Sequence, residues 1–459
     1  MSEKLKGYFI WGFTLLCPAL IMLLPVQGMF TLKIKEYLAV TVLAILCFAF
    51  GRINQALVSL LLPVLYIVLH LATPAQALAP YTQSTIWMVL GGFIMADVLT
   101  DAGLLKRTAL KCLMLAGGSY KGLHWGLGIA GLVLAVIIPG KVPIFLAALC
   151  YGLIKAINYE GKEAAGLMIT AAVAAIVPNT SFIYNPNFFV MVTAGMKATG
   201  PLNISWADYF LKNAVCLGWY IFLIWLSTWM FASKQAAKAQ NYIAEEYARL
   251  GALTLPEKKG LAFVALMLAA LLTQKYHGIA APWCFVLVPS MMLFPGVNIT
   301  NPNKILKNIN YSFLLFMGGC MSIGTVAGAL GLGKIIQTLS MPLLAGQSAV
   351  FVLVFAWALC VLLNFLMTPM AIYSALSLPL ANIAVSLGIN PLAMYFTMYH
   401  ATDQILLAYE YALYMIFFGY NVISTKDFVK YFSVKMVLNL LFVIGILIPF
   451  WSMIGFLTK

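Results

Sequence analysis

The chain has 459 residues and a formal net charge of +14; 63% of its residues are hydrophobic and only 9% are charged. Soluble domains carry about 25% charged residues, so this composition excludes an ordinary soluble protein. The positive charge does not indicate a nucleic-acid partner, because membrane proteins gather Lys and Arg in their cytoplasmic loops. We therefore expect an all-α polytopic membrane protein whose partners are the lipid bilayer and a small solute.

Apolar segments of about 20 residues, the length of a membrane helix, follow one another along the whole chain. In the first half we predict spans at 8–30, 36–51, 53–73, 83–104, 163–197 and 207–232, with a helical hairpin at 122–157. A polar, charged linker at 233–259 follows. In the second half we predict spans at 260–276, 279–295, 311–333, 391–420 and 434–457, with a hairpin at 346–386. The prediction is about eleven transmembrane helices and two re-entrant hairpins.

The first hairpin has the most unusual sequence of these segments. Its apolar run is interrupted by Pro139, Gly140 and Lys141. The run is too long for one membrane helix, and halves of about 16 residues are too short to span. We expect the two halves to enter and leave through the same face, with a tip enclosed by protein or by a water-filled cavity. A lysine at that depth indicates a functional site. The alternative is a kinked helix whose Lys141 snorkels to the membrane surface.

The two halves of the chain share an order of motifs. The sequence WMVLGG at 87–92 precedes GLLK at 103–106, and LLFMGG at 314–319 precedes GLGK at 331–334. Because an odd number of crossings separates the repeats, we expect inverted topology, with a binding site at the repeat interface. The predicted domains are scaffold helices at 1–120 and 260–345, hairpin and transport helices at 121–232 and 346–459, and a cytoplasmic linker at 233–259.

The distribution of basic residues predicts the orientation. A cytoplasmic N-terminus places nineteen of the 27 Lys and Arg residues, Lys435 among them, on the cytoplasmic side and seven outside, and leaves Lys141 within the membrane. Cytoplasmic loops are the basic ones in membrane proteins. We therefore expect a multi-pass protein of the plasma or inner membrane, with its N-terminus in the cytoplasm and its C-terminus outside.

Three short stretches resemble a known transporter family. They are LGGFI at 90–94, GINPL at 388–392 and KDF at 426–428. On these stretches and on its architecture the chain resembles the divalent-anion/sodium symporters, which carry di- and tricarboxylates. The resemblance implies a homodimer, two hairpins that bind sodium and substrate through Ser-Asn-Thr tips, and two further Thr-Pro-Pro-Asn-like breaks. It leads us to expect elevator-type movement of the hairpins and broken segments against the scaffold.

The chain departs from that family at the tips. The two Ser-Asn-Thr positions hold Pro139-Gly140-Lys141 and Pro369-Met370-Ala371, and the second Pro-Pro-Asn position reads Ala412-Leu413-Tyr414. A lysine repels sodium. We therefore predict sodium-independent transport of a small anionic substrate, with Lys141 supplying the positive charge.

Polar residues around the breaks are the other candidates for substrate binding. Hydroxyl and amide groups there can orient a carboxylate, although each can also serve only as a hydrogen bond between helices. The candidate substrate-binding residues are Lys141, Gly140, Asn179, Thr180, Ser181, Asn185, Asn187, Asn364 and Thr368.

A second group of ionisable residues suggests proton coupling. His400, Asp403 and Glu410 have the spacing of one helix face, and Glu410 is placed to pair with Lys141. Such a stripe predicts a proton relay and proton symport; the alternatives are anion exchange without coupling or a structural ion pair. Asp97 and Asp101 lie near Lys106 and Arg107 in sequence, so we expect them to form structural ion pairs there.

Three classes of function are compatible with a polytopic membrane protein. Inverted repeats and paired hairpins favour a secondary transporter, and the absence of a Walker A motif excludes direct driving by ATP. A membrane enzyme would depend on His400 and Asp403 alone, and no repeated filter sequence indicates a channel. We expect no metal site and no cofactor. The remaining alternative is a carrier of a non-carboxylate solute, with Lys141 and Glu410 neutralising each other.

Overall fold

The computed structural model describes residues 3–50, 53–137, 141–182, 186–200, 202, 204–233, 239–365 and 368–458. Within these ranges the regular elements are helices, and the β-type pairings are two isolated bridges, Gln27 with Phe30 and Ile389 with Thr458. The all-α prediction is confirmed.

The described residues of the first half and the linker form thirteen α-helices. They are α1 Glu3–Leu23, α2 Leu32–Phe50, α3 Gln55–Val68, α4 Pro74–Ala77, α5 Ser84–Asp101, α6 Leu104–Leu115, α7 Tyr120–Ile137, α8 Val142–Ile157, α9 Gly161–Ile176, α10 Pro186–Thr199, α11 Trp206–Lys212, α12 Val215–Met230 and α13 Ala239–Arg249. Short 3₁₀ turns lie at Ala79–Thr82 and Val177–Thr180.

The part of the second half that the structure describes forms twelve more. They are α14 Leu255–Leu272, α15 Gln274–His277, α16 Ala281–Met292, α17 Pro302–Asn308, α18 Tyr311–Ala329, α19 Leu332–Leu344, α20 Ala349–Asn364, α21 Pro369–Ser386, α22 Pro391–Thr402, α23 Ala412–Phe418, α24 Thr425–Phe442 and α25 Ile448–Met453. A 3₁₀ turn at Ala408–Glu410 lies between α22 and α23, and a π-helical turn at Val443–Leu447 joins α24 to α25.

Long apolar helices and an apolar outer surface fit a lipid environment. Six helical segments in the described part are long and apolar enough to cross a membrane, and α11 with α12 forms a further segment bent by 62°. On α1 the large side chains of Tyr8, Leu15 and Leu20 are exposed, as are Trp225 and Trp229 on α12. A membrane core can solvate such surfaces whereas water cannot. The count of eleven crossings stays a prediction, because to reach it some of the shorter apolar helices must also cross the membrane.

The repeated motifs form the same local structure in both halves. α5 and α6 are joined at Gly103, and α18 and α19 are joined at Gly331, both with positive φ (+85° and +74°). Glycine adopts this left-handed conformation at little cost, so the same turn ends both long helices. A Cβ atom at Gly91 would lie 1.7 Å from the carbonyl oxygen of Phe285. Because glycine has no such atom, α5 and α16 can pack closely at this position. The structure therefore contains the predicted repeat of elements.

The second predicted hairpin and the first predicted broken segment are interrupted at the predicted prolines, whereas Pro139, the predicted interruption of the first hairpin, lies outside the described residues. α8 has Pro143 in its first turn, while α10 and α21 begin at Pro186 and Pro369. Proline is tolerated in the first turn of a helix because the backbone amide there has no partner within the helix. These prolines fix the starts of the helices that follow each interruption.

Two ion pairs hold α6 against its neighbours, one to the linker helix α13 and one to the first turn of α14. Lys106 contacts Glu246 at 2.8 Å, and Arg107 contacts Glu257 at 2.6 Å. The prediction that Lys106 and Arg107 pair with Asp97 and Asp101 is wrong. The turn after α5 directs the basic residues of α6 toward the linker, so Asp101 bonds to Lys304 and Thr300 instead.

Candidate functional site

A cavity of about 360 Å³ lies where both hairpin tips and both broken segments meet. The first hairpin contributes Lys141 to Ile144, and the second contributes Thr368 to Met370. The first break contributes Asn179 and Asn187, and the second contributes Tyr411 to Leu413. Helices α5, α16 and α18 complete the wall, with the aromatic side chains of Phe93, Phe285, Phe313 and Phe316. The cavity is therefore built from both halves of the chain.

Lys141 is the one charged side chain among the described residues of the cavity lining. It is the N-cap residue of α8, so the positive end of that helix lies beside it. Its ammonium donates a hydrogen bond to Oδ1 of Asp97 on α5 and lies 5.4 Å from the centre of the Phe93 ring. The side chains of Lys141 and Asp97 are 18% and 14% exposed, so the pair is largely shielded from water.

Polar groups at the two breaks and at the second tip complete the lining. Asn187 donates a hydrogen bond to the Tyr411 hydroxyl at 3.1 Å, which joins the two broken segments. The Thr368 hydroxyl is buried and has no hydrogen-bond partner in the described part of the chain. A buried polar group without a partner is costly, so this hydroxyl is available to a ligand.

The predicted substrate-binding residues separate into three groups. Lys141, Asn179, Asn187 and Thr368 line the cavity. Thr180, Ser181 and Asn364 are buried but are not among the described lining residues. Gly140 and Asn185 lie outside the described residues.

Thr180 and Asn364, which are buried outside the described lining of the cavity, form hydrogen bonds that stabilise the fold. Thr180 donates to the carbonyl of Val177 at 2.8 Å, within its own turn. Asn364 donates to the carbonyls of Thr402 at 2.9 Å and Gln404 at 3.2 Å. Asn364 therefore ties the end of α20 to the second break.

The predicted stripe of His400, Asp403 and Glu410 does not exist. α22 ends at Thr402, and the chain continues in a non-helical segment to the 3₁₀ turn at Ala408–Glu410. None of the three side chains is among the described residues of the cavity lining. The helical spacing therefore does not place them on one face.

Asp403 belongs to a buried ion pair on the far side of the second break. Lys435 of α24 donates to Oδ2 and to the backbone carbonyl of Asp403, each at 2.6 Å, and the Tyr414 hydroxyl donates to Oδ1 at 2.8 Å. Lys435 is 0% exposed, so its assignment to the cytoplasmic surface is wrong. His400 is also buried, with Nδ1 3.3 Å from Asn439 and Nε2 3.4 Å from the Cys216 sulfur.

Glu410 binds backbone amides and does not pair with Lys141. Its carboxylate accepts hydrogen bonds from the amides of Leu407 at 2.8 Å and Leu406 at 3.2 Å. The predicted Lys141–Glu410 pair is therefore wrong, because Lys141 contacts Asp97 and the Glu410 carboxylate holds the turn before α23.

Comparison with known proteins shows what kind of protein this cavity belongs to. The family model described as CitMHS, citrate transporter, matches residues 45–399, which is more than half of the chain. The chain belongs to the citrate transporter family. Its function is therefore transport across a membrane rather than catalysis, as the sequence predicted.

Two further similarities agree with membership of the citrate transporter family. The chain is 24% identical over 401 residues to the sodium-dependent dicarboxylate transporter SdcS of Staphylococcus saprophyticus, covering 80% of this chain and 75% of the relative. It shares its fold with the YdaH transporter of Alcanivorax borkumensis at a TM-score of 0.55 and 12% identity, covering 98% of both chains. The predicted divalent-anion/sodium symporter type of family and the polytopic helical fold are confirmed.

Two groups of this citrate transporter family member are not identified from the sequence: Tyr411, which lines the cavity, and Asp97, which contacts Lys141 from behind the lining. The sequence predicts a structural ion pair of Asp97 with Lys106 or Arg107, although an aspartate within the long apolar helix α5 is itself a signal of function. Tyr411 follows Glu410 directly, and its hydroxyl is the group at the second break that contacts Asn187. An aromatic residue in an apolar segment carries no sequence signal that separates lining from core.

Proposed function

We propose that the chain is a secondary active transporter of small organic anions of the di- or tricarboxylate type, with Lys141 as the group that binds a substrate carboxylate. The observation that carries this proposal is that Lys141 is the one charged side chain in the described lining of a cavity formed by both halves. The citrate transporter family and the dicarboxylate relative point to the same substrate class.

The cavity has the features that a small anion requires. Its volume of about 360 Å³ lies within the range of small-molecule sites. An ammonium at the start of α8 combines a full positive charge with the positive end of the helix. Asn179, Asn187 and Thr368 supply amide and hydroxyl groups that orient carboxylate oxygens. The aromatic wall excludes water, which strengthens the attraction between the charges.

We propose that transport does not require sodium. Sodium needs several oxygen ligands, and the ammonium of Lys141 at the first hairpin tip repels a second cation. Asp97 contacts Lys141 from behind the lining and offsets part of its charge, but the described lining itself contains no carboxylate side chain that would bind sodium. The relative named as sodium-dependent is only 24% identical, so its ion requirement is a property to be tested here.

The movement, orientation and assembly of the carrier are part of the same proposal. The hairpins and broken segments move together against the scaffold in an elevator-type alternation that exposes the cavity to each side in turn. The N-terminus lies in the cytoplasm and the C-terminus outside, in the plasma or inner membrane, and two chains form a homodimer. The meeting of all four interruptions at one cavity supports a shared moving unit.

One observation favours a second candidate function. The Lys141 ammonium is already paired with Asp97, so the cavity lining and the carboxylate behind it carry no net charge. A neutral solute would bind to such a site without displacing either group.

A ligand-stabilisation screen of purified protein separates the two. Thermal unfolding is followed with di- and tricarboxylates, sulfate, sugars and amino acids at equal ionic strength. We expect the melting temperature to rise with carboxylates alone, because binding to the folded state stabilises it. Stabilisation by a sugar without any effect of carboxylates would establish the alternative.

A further inference from the structure

The contact between Asp97 and Lys141 joins two parts of the molecule that are 44 residues apart. Asp97 lies on α5, which packs along α16, while Lys141 starts the second arm of the first hairpin. Only Oδ1 of Asp97 is bonded. Oδ2 is buried and has no hydrogen-bond partner in the described part of the chain. An ionised carboxylate with one unsatisfied buried oxygen is stabilised by its single cation and by little else.

Other charged groups on the helices around α5 are engaged elsewhere. Lys304 bonds to Asp101, Arg107 to Glu257, Lys106 to Glu246 and Lys259 to the carbonyl of Val297. Among the remaining titratable groups on these helices, Lys111 lies over Tyr247 and Lys197 lies against Gly328. The hydroxyls of Tyr81 and Tyr311 donate to the carbonyls of Leu315 and Leu306, and the thiol of Cys284 donates to the carbonyl of Ile279. The others are Cys112, Lys258, Lys307 and Cys320. Lys141 is thus the described charge partner of Asp97.

We propose that Asp97 is the resident counter-ion of Lys141 and takes up a proton when a substrate carboxylate replaces it at the ammonium. This inference rests on the proposed function, since it assigns the coupling residue of the same site. It places proton coupling on Asp97, beside the cavity, instead of on Glu410.

The sequence of binding events follows from charge. In the empty carrier Lys141 donates to Oδ1 of Asp97 and the pair is neutral. An arriving carboxylate accepts the hydrogen bond from Lys141, which leaves two carboxylates beside one ammonium. Such like charges disfavour ionisation of both, so one proton from water on the open side binds to Asp97. Anion and proton binding are then linked, and each favours the other.

Asp101 provides a matched control on the same helix. It lies about one turn beyond Asp97, bonds to Lys304 and Thr300, and is not among the described residues of the cavity lining. Asp101→Asn and Asp97→Asn each remove one carboxylate from α5. Asp101→Asn leaves the contact between Asp97 and Lys141 in place.

The test measures binding of fumarate to purified full-length protein by titration calorimetry from pH 6 to pH 8. Fumarate remains a dianion over this range, so any proton taken up binds to the protein. In wild type we expect affinity to rise about tenfold for each unit by which pH falls, and about one proton to be taken up per anion in buffers of different ionisation enthalpy. Asp101→Asn should behave like wild type.

The Asp97 variants decide the assignment. Asp97→Asn should bind fumarate at least as tightly as wild type does at pH 8, with less than about a twofold change over the range. Asp97→Glu should retain the dependence. The inference is overturned if wild type binds through Lys141 without proton uptake, a measurement that needs no variant to fold, or if Asp97→Asn keeps the wild-type dependence. The proposed function itself fails in a different way, when wild type binds no carboxylate or Lys141→Gln binds fumarate unchanged.

Discussion

Lys435 and Asp403 form a fully buried ion pair in which one ammonium contacts both the carboxylate and the backbone carbonyl of the same aspartate, each at 2.6 Å. The pair joins α24 to the second break, and Tyr414 bonds to the other carboxylate oxygen at 2.8 Å. Since Asp403 is the C-cap residue of α22, this contact ties the end of that helix to α24.

Removing one partner of that pair should destabilise the protein strongly. Lys435→Met leaves the Asp403 carboxylate buried without a counter-ion, at a cost of about 3–5 kcal/mol. Lys430→Met on the same helix, where the side chain is exposed, should have little effect. Thermal unfolding in one detergent compares the two variants. Equal melting temperatures for both would show that the buried pair contributes nothing to stability.

The contact between Arg107 and Glu257 predicts a loss of stability in acid. Glu257 lies within the predicted linker 233–259, outside the predicted spans. Burial raises the pKa of its carboxyl group, but hydrogen bonds from Arg107 and Thr254 outweigh this effect and hold the pKa below its ordinary value of 4.5. A lowered carboxyl pKa contributes stability above the unfolded pKa, and this stability is lost as pH falls through the folded value. Wild type should therefore lose stability as pH falls below about 4.5.

Glu257→Gln should lose less over the same interval, because the glutamine has no proton to take up. Thermal unfolding from pH 3 to pH 6 measures the difference. Glu246 on the linker helix α13 also has a lowered pKa, through its hydrogen bond from Lys106, so the variant should retain part of the acid dependence. Identical profiles for wild type and Glu257→Gln would contradict the role of this contact.

Proline and glycine made the interruptions predictable. Pro369 and Pro186 mark the starts of α21 and α10 because proline is favoured in the first turn of a helix. Gly103 and Gly331 mark the turns of the repeat for a comparable reason. Lys141, in a long apolar run, was predicted to face a cavity and does line one.

The errors arose where no such local signal exists. The segment after Thr402 contains neither proline nor glycine before Tyr411, so helical spacing was extended past the true end of α22. Lys435 was counted as a loop charge because its partner, Asp403, lies 32 residues away. The same holds for Asp97 and Lys141. Pairs of this kind depend on how helices pack, which local sequence does not encode.

Accessibility of single cysteines tests the orientation. Gln240→Cys in the linker should react with an impermeant thiol reagent only from the inside, and Ala345→Cys, after α19, only from the outside. Both positions are exposed. Seven native cysteines are buried, and partly exposed Cys17 is replaced by serine in the background. Reaction of both positions from one face would contradict the inverted repeat.

Replacement of sodium by choline tests the ion requirement. Uptake of a dicarboxylate into proteoliposomes should proceed at a similar rate in both buffers, because Lys141 already provides a fixed cation at the first hairpin tip. A potassium-loaded control excludes an effect of membrane potential. Uptake that rises steeply with sodium concentration would mean that a sodium site exists despite the lysine.

The central claim is that the Lys141 ammonium holds a substrate carboxylate. The most direct measurement is the equilibrium affinity of purified protein for a dicarboxylate in wild type, Lys141→Gln, Lys141→Arg and the control Lys155→Gln, which changes a lysine near the other end of α8. A hydrogen bond to a charged group contributes about 1.5–3 kcal/mol, so Lys141→Gln should weaken binding by about 10- to 100-fold. Lys141→Arg should also bind poorly, because a planar guanidinium does not replace a compact ammonium, while Lys155→Gln should match wild type. Wild-type affinity in correctly folded Lys141→Gln would contradict the account.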